Sequence, residues 1–216
     1  MIEFIQDYIA TFDFLKACVL VGTLAGFVVM WFQVTEHIAL WYFNIISAGA
    51  LAINFFATEI YAYAAFQIYY IVTSAYGIYS WTKGKKTDDG EMKIQRMRGQ
   101  WWLMTAFAMA VLIVVMYFIL SKTGSEIALI DAIITSASVV ATFLLTKKIL
   151  EYWYFWIFAD SLYILTVLYL GDTTGDKTLY PTVILYFCYI VTAVIGIVVW
   201  RKKYKKQIAL ETNENE

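Results

Sequence analysis

The chain has little of what a water-soluble enzyme is built from. Charged residues make up 15% of its 216 positions, and it holds one proline, one histidine and two cysteines. Soluble domains carry about 25% charged residues, so an ordinary polar shell is excluded. Cys18 and Cys188 lie in apolar runs at a spacing that fits neither a zinc site nor a disulfide framework, and they read as small packing residues. His37 lacks a His-Glu-x-x-His context, which removes a zinc protease, and the absence of a phosphate-binding glycine loop removes intrinsic ATP-driven pumping. Pro181 stands at the start of a run, where its missing N–H costs little. The first fifteen residues hold Glu3, Asp7 and Asp13 but no Lys or Arg, unlike a signal peptide, so the first apolar run is expected to stay as a helix.

What is abundant is apolar surface: 62% of residues are hydrophobic and 19% aromatic. One soluble core of this size could not hide it, whereas lipid would solvate it. A helix needs about 20 mostly apolar residues to cross a ~30 Å hydrocarbon core. Seven runs qualify, at 15–31, 38–57, 60–81, 101–120, 127–146, 153–170 and 180–200, separated by short polar joints and one long joint, 82–100. Unpaired backbone amides are untenable in lipid, so these runs are expected to be helices. They lack the period-2 alternation of an outer-membrane barrel. The expectation is an all-α membrane protein of seven transmembrane helices.

Placement of Lys and Arg gives the direction. Thirteen (Lys83, Lys85, Lys86, Lys93, Arg96, Arg98, Lys147, Lys148, Arg201, Lys202, Lys203, Lys205 and Lys206) fall on one side, against Lys16, Lys122 and Lys177 on the other. The basic side is the cytoplasmic one, so the amino terminus is expected outside and the carboxyl terminus inside a bacterial inner membrane. The basic 83–98 joint is explained by orientation, not by nucleic acid. The acidic end, 211–216, reads as a disordered solvated tail.

An internal repeat sharpens the architecture. Residues 70–81 and 189–200 agree at seven of twelve positions, at an offset of 119, and Glu36 to Trp41 matches Glu151 to Trp156 at an offset of 115. The single transmembrane domain, 1–216, then divides into a three-helix repeat (15–81), a linker helix (101–120), a second three-helix repeat (127–200) and a cytoplasmic tail (201–216). An odd linker makes the repeats parallel, the 3+1+3 arrangement of SWEET-like carriers, in which substrate sits near the midplane between the halves.

Ionisable groups inside a span cost roughly 2.5–3.5 kcal/mol and point to function. Asp160 lies half-way along the sixth run and shares a helical face with Trp153 and Trp156. Two indoles and a carboxylate suit a flat cation; plain interhelical packing is the competing reading. Gln67 and Tyr70 belong to a stripe in the third run that continues through Ser74, Gly77 and Trp81, and Asn44 faces inward from the second run. Their amides need partners, either a substrate or a neighbouring helix. Asp131, Thr135 and Ser138 recur at helical spacing in the fifth run and are candidates for lining a pathway. Glu36 and Glu151 stand at span ends as candidate gates, or as partners for nearby lysines.

These residues in this order resemble the PnuC-type nicotinamide riboside transporter family along nearly the whole chain. The carrying features are Asn44; Tyr61-Ala-Tyr-Ala-Ala-Phe-Gln67 leading to Tyr76-Gly77 and Trp81; Asp131-Ala132; Thr146-Lys147-Lys148; Glu151-x-Trp153-x-x-Trp156; and Gly196-x-x-x-Trp200. The resemblance implies uptake of nicotinamide riboside by facilitated diffusion, trapped afterwards by a cytoplasmic kinase; related members carry thiamine or riboflavin. Some members have Asn where this chain has Asp160. No cofactor, metal or coupling ion is implied, although Asp131 and Asp160 offer a route for protons. The chain is compatible with a monomer or a homo-oligomer. A retinal receptor lacks its lysine in the seventh run, an intramembrane enzyme would have only Asp131 and Asp160 as acids, and an assembly factor leaves Asn44, Gln67 and Asp160 unexplained.

Overall fold

The computed structural model describes residues 13–87, 90–123, 127–175 and 180–213. Among them are seven α-helices: α1 (Phe14–Thr35), α2 (Ala39–Ala57), α3 (Tyr61–Lys83), α4 (Gly99–Leu120), α5 (Ala128–Thr146), α6 (Tyr152–Thr174) and α7 (Tyr180–Asn213). Six are long and apolar enough to cross a membrane. The exception is α3, long enough at 23 residues but diluted by its tyrosines, Gln67, Thr73, Ser74 and Ser80. Asp13 caps α1 by accepting the backbone N–H of Lys16 at 2.8 Å.

Two runs extend further than expected. α6 continues to Thr174, where Gly175 takes the left-handed conformation (φ 70°) that ends it; Lys177 lies outside the described residues. α7 runs on through the basic stretch and into the acidic end, as far as Asn213. The disordered tail expected from 211 is thus helical to 213, and residues 214–216 lie outside the described residues. Arg, Lys, Gln, Ala, Leu and Glu are good helix formers, so nothing after Trp200 obliges the helix to stop.

The helices form two compact units, 1–80 and 81–216. In the first, α1 packs on α2: the Ser47 hydroxyl donates to the Gly22 carbonyl at 2.7 Å, and a Cβ on Gly22 would press into Leu51. In the second, α4 packs on α5, α5 on α6, and α6 on α7. The small residues of α5, Ala132, Ser136, Ala137 and Ala141, are fully buried and allow this close approach. α4 leaves Leu103 and Phe107 about three-quarters exposed, as a lipid-facing helix does.

The turns that follow α1 and α5 share a local geometry, at a separation different from the expected 115. Glu36 after α1 and Lys148 after α5 both adopt left-handed backbone, φ 63° and 54°. In the first turn His37 N–H bonds Phe32 O, Leu40 N–H bonds His37 O and Trp41 N–H bonds Ile38 O; in the second, Ile149 bonds Leu144, Tyr152 bonds Ile149 and Trp153 bonds Leu150. Each pair is separated by 112, so the counterpart of Trp41 is Trp153 rather than Trp156. Glu151 consequently corresponds to Ala39, and Asn44 to Trp156.

Within the second unit, the joint between α3 and α4 is a strap, not an open loop. An antiparallel bridge joins Lys86 to Met92, and a parallel bridge joins Gln95 to Ile149 in the α5–α6 turn. Its own Met92, Ile94 and Met97 are buried.

Candidate functional site

Both indoles at the matched register are structural. Trp41 is buried against Gly77, and Trp153 against Gly196; a Cβ on either glycine would lie far inside van der Waals contact with the ring. Trp153 also meets Tyr152 at 4.5 Å and Trp200 edge-on at 6.1 Å between centroids. Its faces are therefore occupied by the protein, which leaves little of them for a ligand. The expected stripe of two indoles and a carboxylate narrows to Trp156 and Asp160.

Asp160 is 5% exposed, and among the described residues no cation and no hydrogen-bond donor reaches its carboxylate. Its electrostatic neighbours are Tyr186 and Tyr189 on α7. Tyr186 stacks on Tyr163, one helical turn beyond Asp160, with centroids 3.9 Å apart and planes 17° from parallel, and meets Tyr189 edge-on at 5.4 Å. Trp156 is half-buried on the same face of α6, and its Nε1–H is buried with no protein acceptor among the described residues. A buried, unneutralised carboxylate and an unused indole donor beside aromatic rings are costly unless something else completes them. The tyrosines of this set were not singled out by sequence, although Tyr163 follows Asp160 at i+3.

In the first unit, Asn44 and Tyr70 are brought together through Ser74. The Asn44 side-chain amide donates to the Ser74 hydroxyl at 2.8 Å, and that hydroxyl donates to the Tyr70 carbonyl at 2.6 Å. The ring of Tyr70 lies 5.5 Å from that of Tyr69. Gln67 is half-buried one turn earlier. Asn44 keeps its side-chain oxygen and a second N–H for other contacts. At the positions matching Asn44 and Ser74, the second unit has Trp156 and Ala193, so the two units present different chemistry from one scaffold.

The candidate pathway stripe on α5 is largely self-satisfied. Ser138 donates back to Ile134 O at 3.0 Å and Thr142 to Ser138 O at 2.8 Å. Thr135 and Asp131 are half-buried, Asp131 in the first turn, where its charge suits the helix dipole. Glu36 is buried at the end of α1. Glu151 is 2% exposed, with one oxygen bound to Arg96 Nε and the other accepting Met97 N–H at 2.9 Å. That hydrogen bond to Glu151 raises the Arg96 guanidinium further above its ordinary value.

Comparison with known proteins follows the same line. The nicotinamide mononucleotide transporter family matches residues 16–202. The chain belongs to that family. It is 26% identical over 162 residues to the nicotinamide riboside transporter PnuC of Escherichia coli (strain K12), covering 63% of this chain and 68% of that one. To the nicotinamide riboside transporter PnuC of Neisseria mucosa it is 24% identical over 191 residues, covering 86% and 72%. It shares the fold of the crystal structure of the vitamin B3 transporter PnuC, at a TM-score of 0.69 and 22% identity over 94% of this chain and 87% of that one. A family of transporters, and helices apolar enough to span, make this a multi-pass membrane transport protein rather than an enzyme.

Proposed function

We propose that the chain carries nicotinamide riboside into the cell by facilitated diffusion. The observation that carries this reading is Asp160, a buried carboxylate with no cation of its own among the described residues. Nicotinamide riboside supplies the missing charge on a flat pyridinium. The Tyr163, Tyr186 and Tyr189 rings and the half-buried Trp156 give it an aromatic wall. Trp156 Nε1–H suits the carboxamide or a ribose hydroxyl. The names of the relatives support the same substrate.

The finer reading is alternating access about a central site, with parallel three-helix repeats joined by α4, the amino terminus outside and the carboxyl terminus in the cytoplasm of a bacterial inner membrane. A cytoplasmic kinase is the metabolic partner that keeps the product inside. Thiamine, also an aromatic cation, is the second substrate to test. The experiment is uptake of labelled nicotinamide riboside, thiamine and riboflavin into proteoliposomes carrying the protein. Saturable uptake of nicotinamide riboside that equilibrates without an ion gradient supports the proposal; preference for another vitamin, or uptake that collapses without a proton gradient, overturns it.

A further inference from the structure

The strap and the far end of α7 are joined by contacts that orientation alone does not require. α7 has 34 residues, about 51 Å at 1.5 Å per residue, and so outreaches a ~30 Å hydrocarbon core. Its extension is held in register with the strap: Ile94 N–H donates to Gln207 Oε1 at 3.0 Å, Gln207 Nε2 returns to Ile94 O at 3.4 Å, and Lys93 Nζ pairs with Glu211 at 2.6 Å. Arg96 lies 5.8 Å from the ring centroid of Tyr204.

The other edge of the strap grips the turn that starts α6. Gln95 N–H bonds Lys148 O at 2.9 Å, and Leu150 N–H bonds Gln95 O at 3.0 Å. Lys148, 1% exposed, passes beneath the strap to donate to Met92 O at 2.9 Å, with its ammonium 4.9 Å from the Trp81 ring. Trp81 in turn donates to Leu145 O at 3.2 Å, at the end of α5. Next along is Glu151, both oxygens of which are taken by Arg96 and Met97 N–H. Glu151 occupies the N-cap position of α6, without capping it by side chain; its carboxylate is spent on the strap instead.

We infer that strap and α7 extension form a clamp that fixes the start of α6, with Glu151 as the positioning residue for Trp156 and Asp160 further along that helix. This rests on the reading of Trp156 and Asp160 as substrate contacts. The chain of contacts runs from Glu211 and Gln207, through Lys93 and Ile94, to Arg96, Met97 and Glu151, and so into the binding helix. Of the two roles the sequence offers Glu151, a gate asks for a carboxylate not already committed on both oxygens, while pairing with a basic side chain is met by Arg96 rather than a lysine.

Two readouts test the clamp from its distant end, where no substitution touches the proposed substrate contacts. In a Cys18→Ala/Cys188→Ala background, Leu150→Cys reports the α6 turn by its rate of maleimide labelling in the full chain. Gln207→Ala should speed labelling, and raise KM for nicotinamide riboside, by roughly three- to tenfold, the size of a lost hydrogen bond, and Glu211→Lys by roughly two- to fivefold, the size of a lost, partly exposed ion pair. Maximal rate per folded transporter should stay within about twofold, since only positioning is lost. Lys93→Glu combined with Glu211→Lys restores the pair and should return both readouts toward the parent. Labelling that ignores Gln207 and Glu211 overturns the clamp. Labelling that responds while KM does not overturns the positioning role. A parent that moves no nicotinamide riboside overturns the functional reading instead, and the labelling then decides the clamp by itself.

Discussion

The indole of Trp153 lies flush against Gly196, and the contact is repeated by Trp41 on Gly77 in the other unit. A helical Gly→Ala change normally stabilises by roughly 0.5–1 kcal/mol. Here the added methyl would strike a buried ring, and overpacking costs about 1–3 kcal/mol. Gly77→Ala and Gly196→Ala should therefore both lower the melting temperature of the purified protein. Gly49→Ala, where a Cβ meets nothing within 4 Å, should leave it unchanged or slightly raised. Equal behaviour of the three would mean that the indole contacts do not govern these helix pairs.

The two tryptophans of α6 should separate in function. Trp153 packs on Gly196, Tyr152 and Trp200, so Trp153→Phe should act mainly on thermal stability, with KM for nicotinamide riboside changed by less than about twofold. Trp156→Phe keeps a ring but removes the unused Nε1–H. It should raise KM by roughly tenfold, one hydrogen bond's worth, with little loss of stability. Uptake kinetics beside unfolding curves for the two variants decide the matter.

Much of this was legible in the chain. Apolar runs of spanning length located all seven helices, and Asp160 stood out because a mid-span carboxylate is expensive. The division of labour between Trp153 and Trp156 was not legible. Glu36 to Trp41 resembles Glu151 to Trp156 in letters, while the backbone aligns Trp41 with Trp153. The marker of that alignment is a left-handed residue after each first helix, occupied by Glu36 and Lys148, and neither side chain announces such a conformation. The strap escaped notice for another reason. Its lysines are accounted for by membrane orientation, so nothing in composition separates an exposed Lys83 from the buried Lys148, which is set by contacts to Trp81 and Met92.

The strap's grip on α7 should depend on pH with a definite sign. The hydrogen bond from Lys93 holds the Glu211 carboxyl below its ordinary range, helped by Gln207 and by the charge of Lys85. A depressed folded value means the contribution is complete above the free carboxyl's pKa of about 4.3 and fades as pH falls through the lower, folded value. Protection of the strap's backbone amides from hydrogen exchange, corrected for intrinsic rate, should be flat from about pH 5 to 8 and weaken in stronger acid. High salt should loosen the same contact, since the pair is partly exposed. A grip that weakens toward neutral pH instead would assign it to a different group.

The most direct measurement compares binding of cationic nicotinamide riboside with that of its reduced, uncharged dihydropyridine form, in the parent and in Asp160→Asn. If the buried carboxylate is completed by the substrate's charge, the parent prefers the cation, and the substitution weakens it by roughly 30-fold or more, about 2 kcal/mol or above for a buried charged contact. The uncharged form should be affected far less. Equal loss for both forms, or no loss for either, would contradict the role assigned to Asp160.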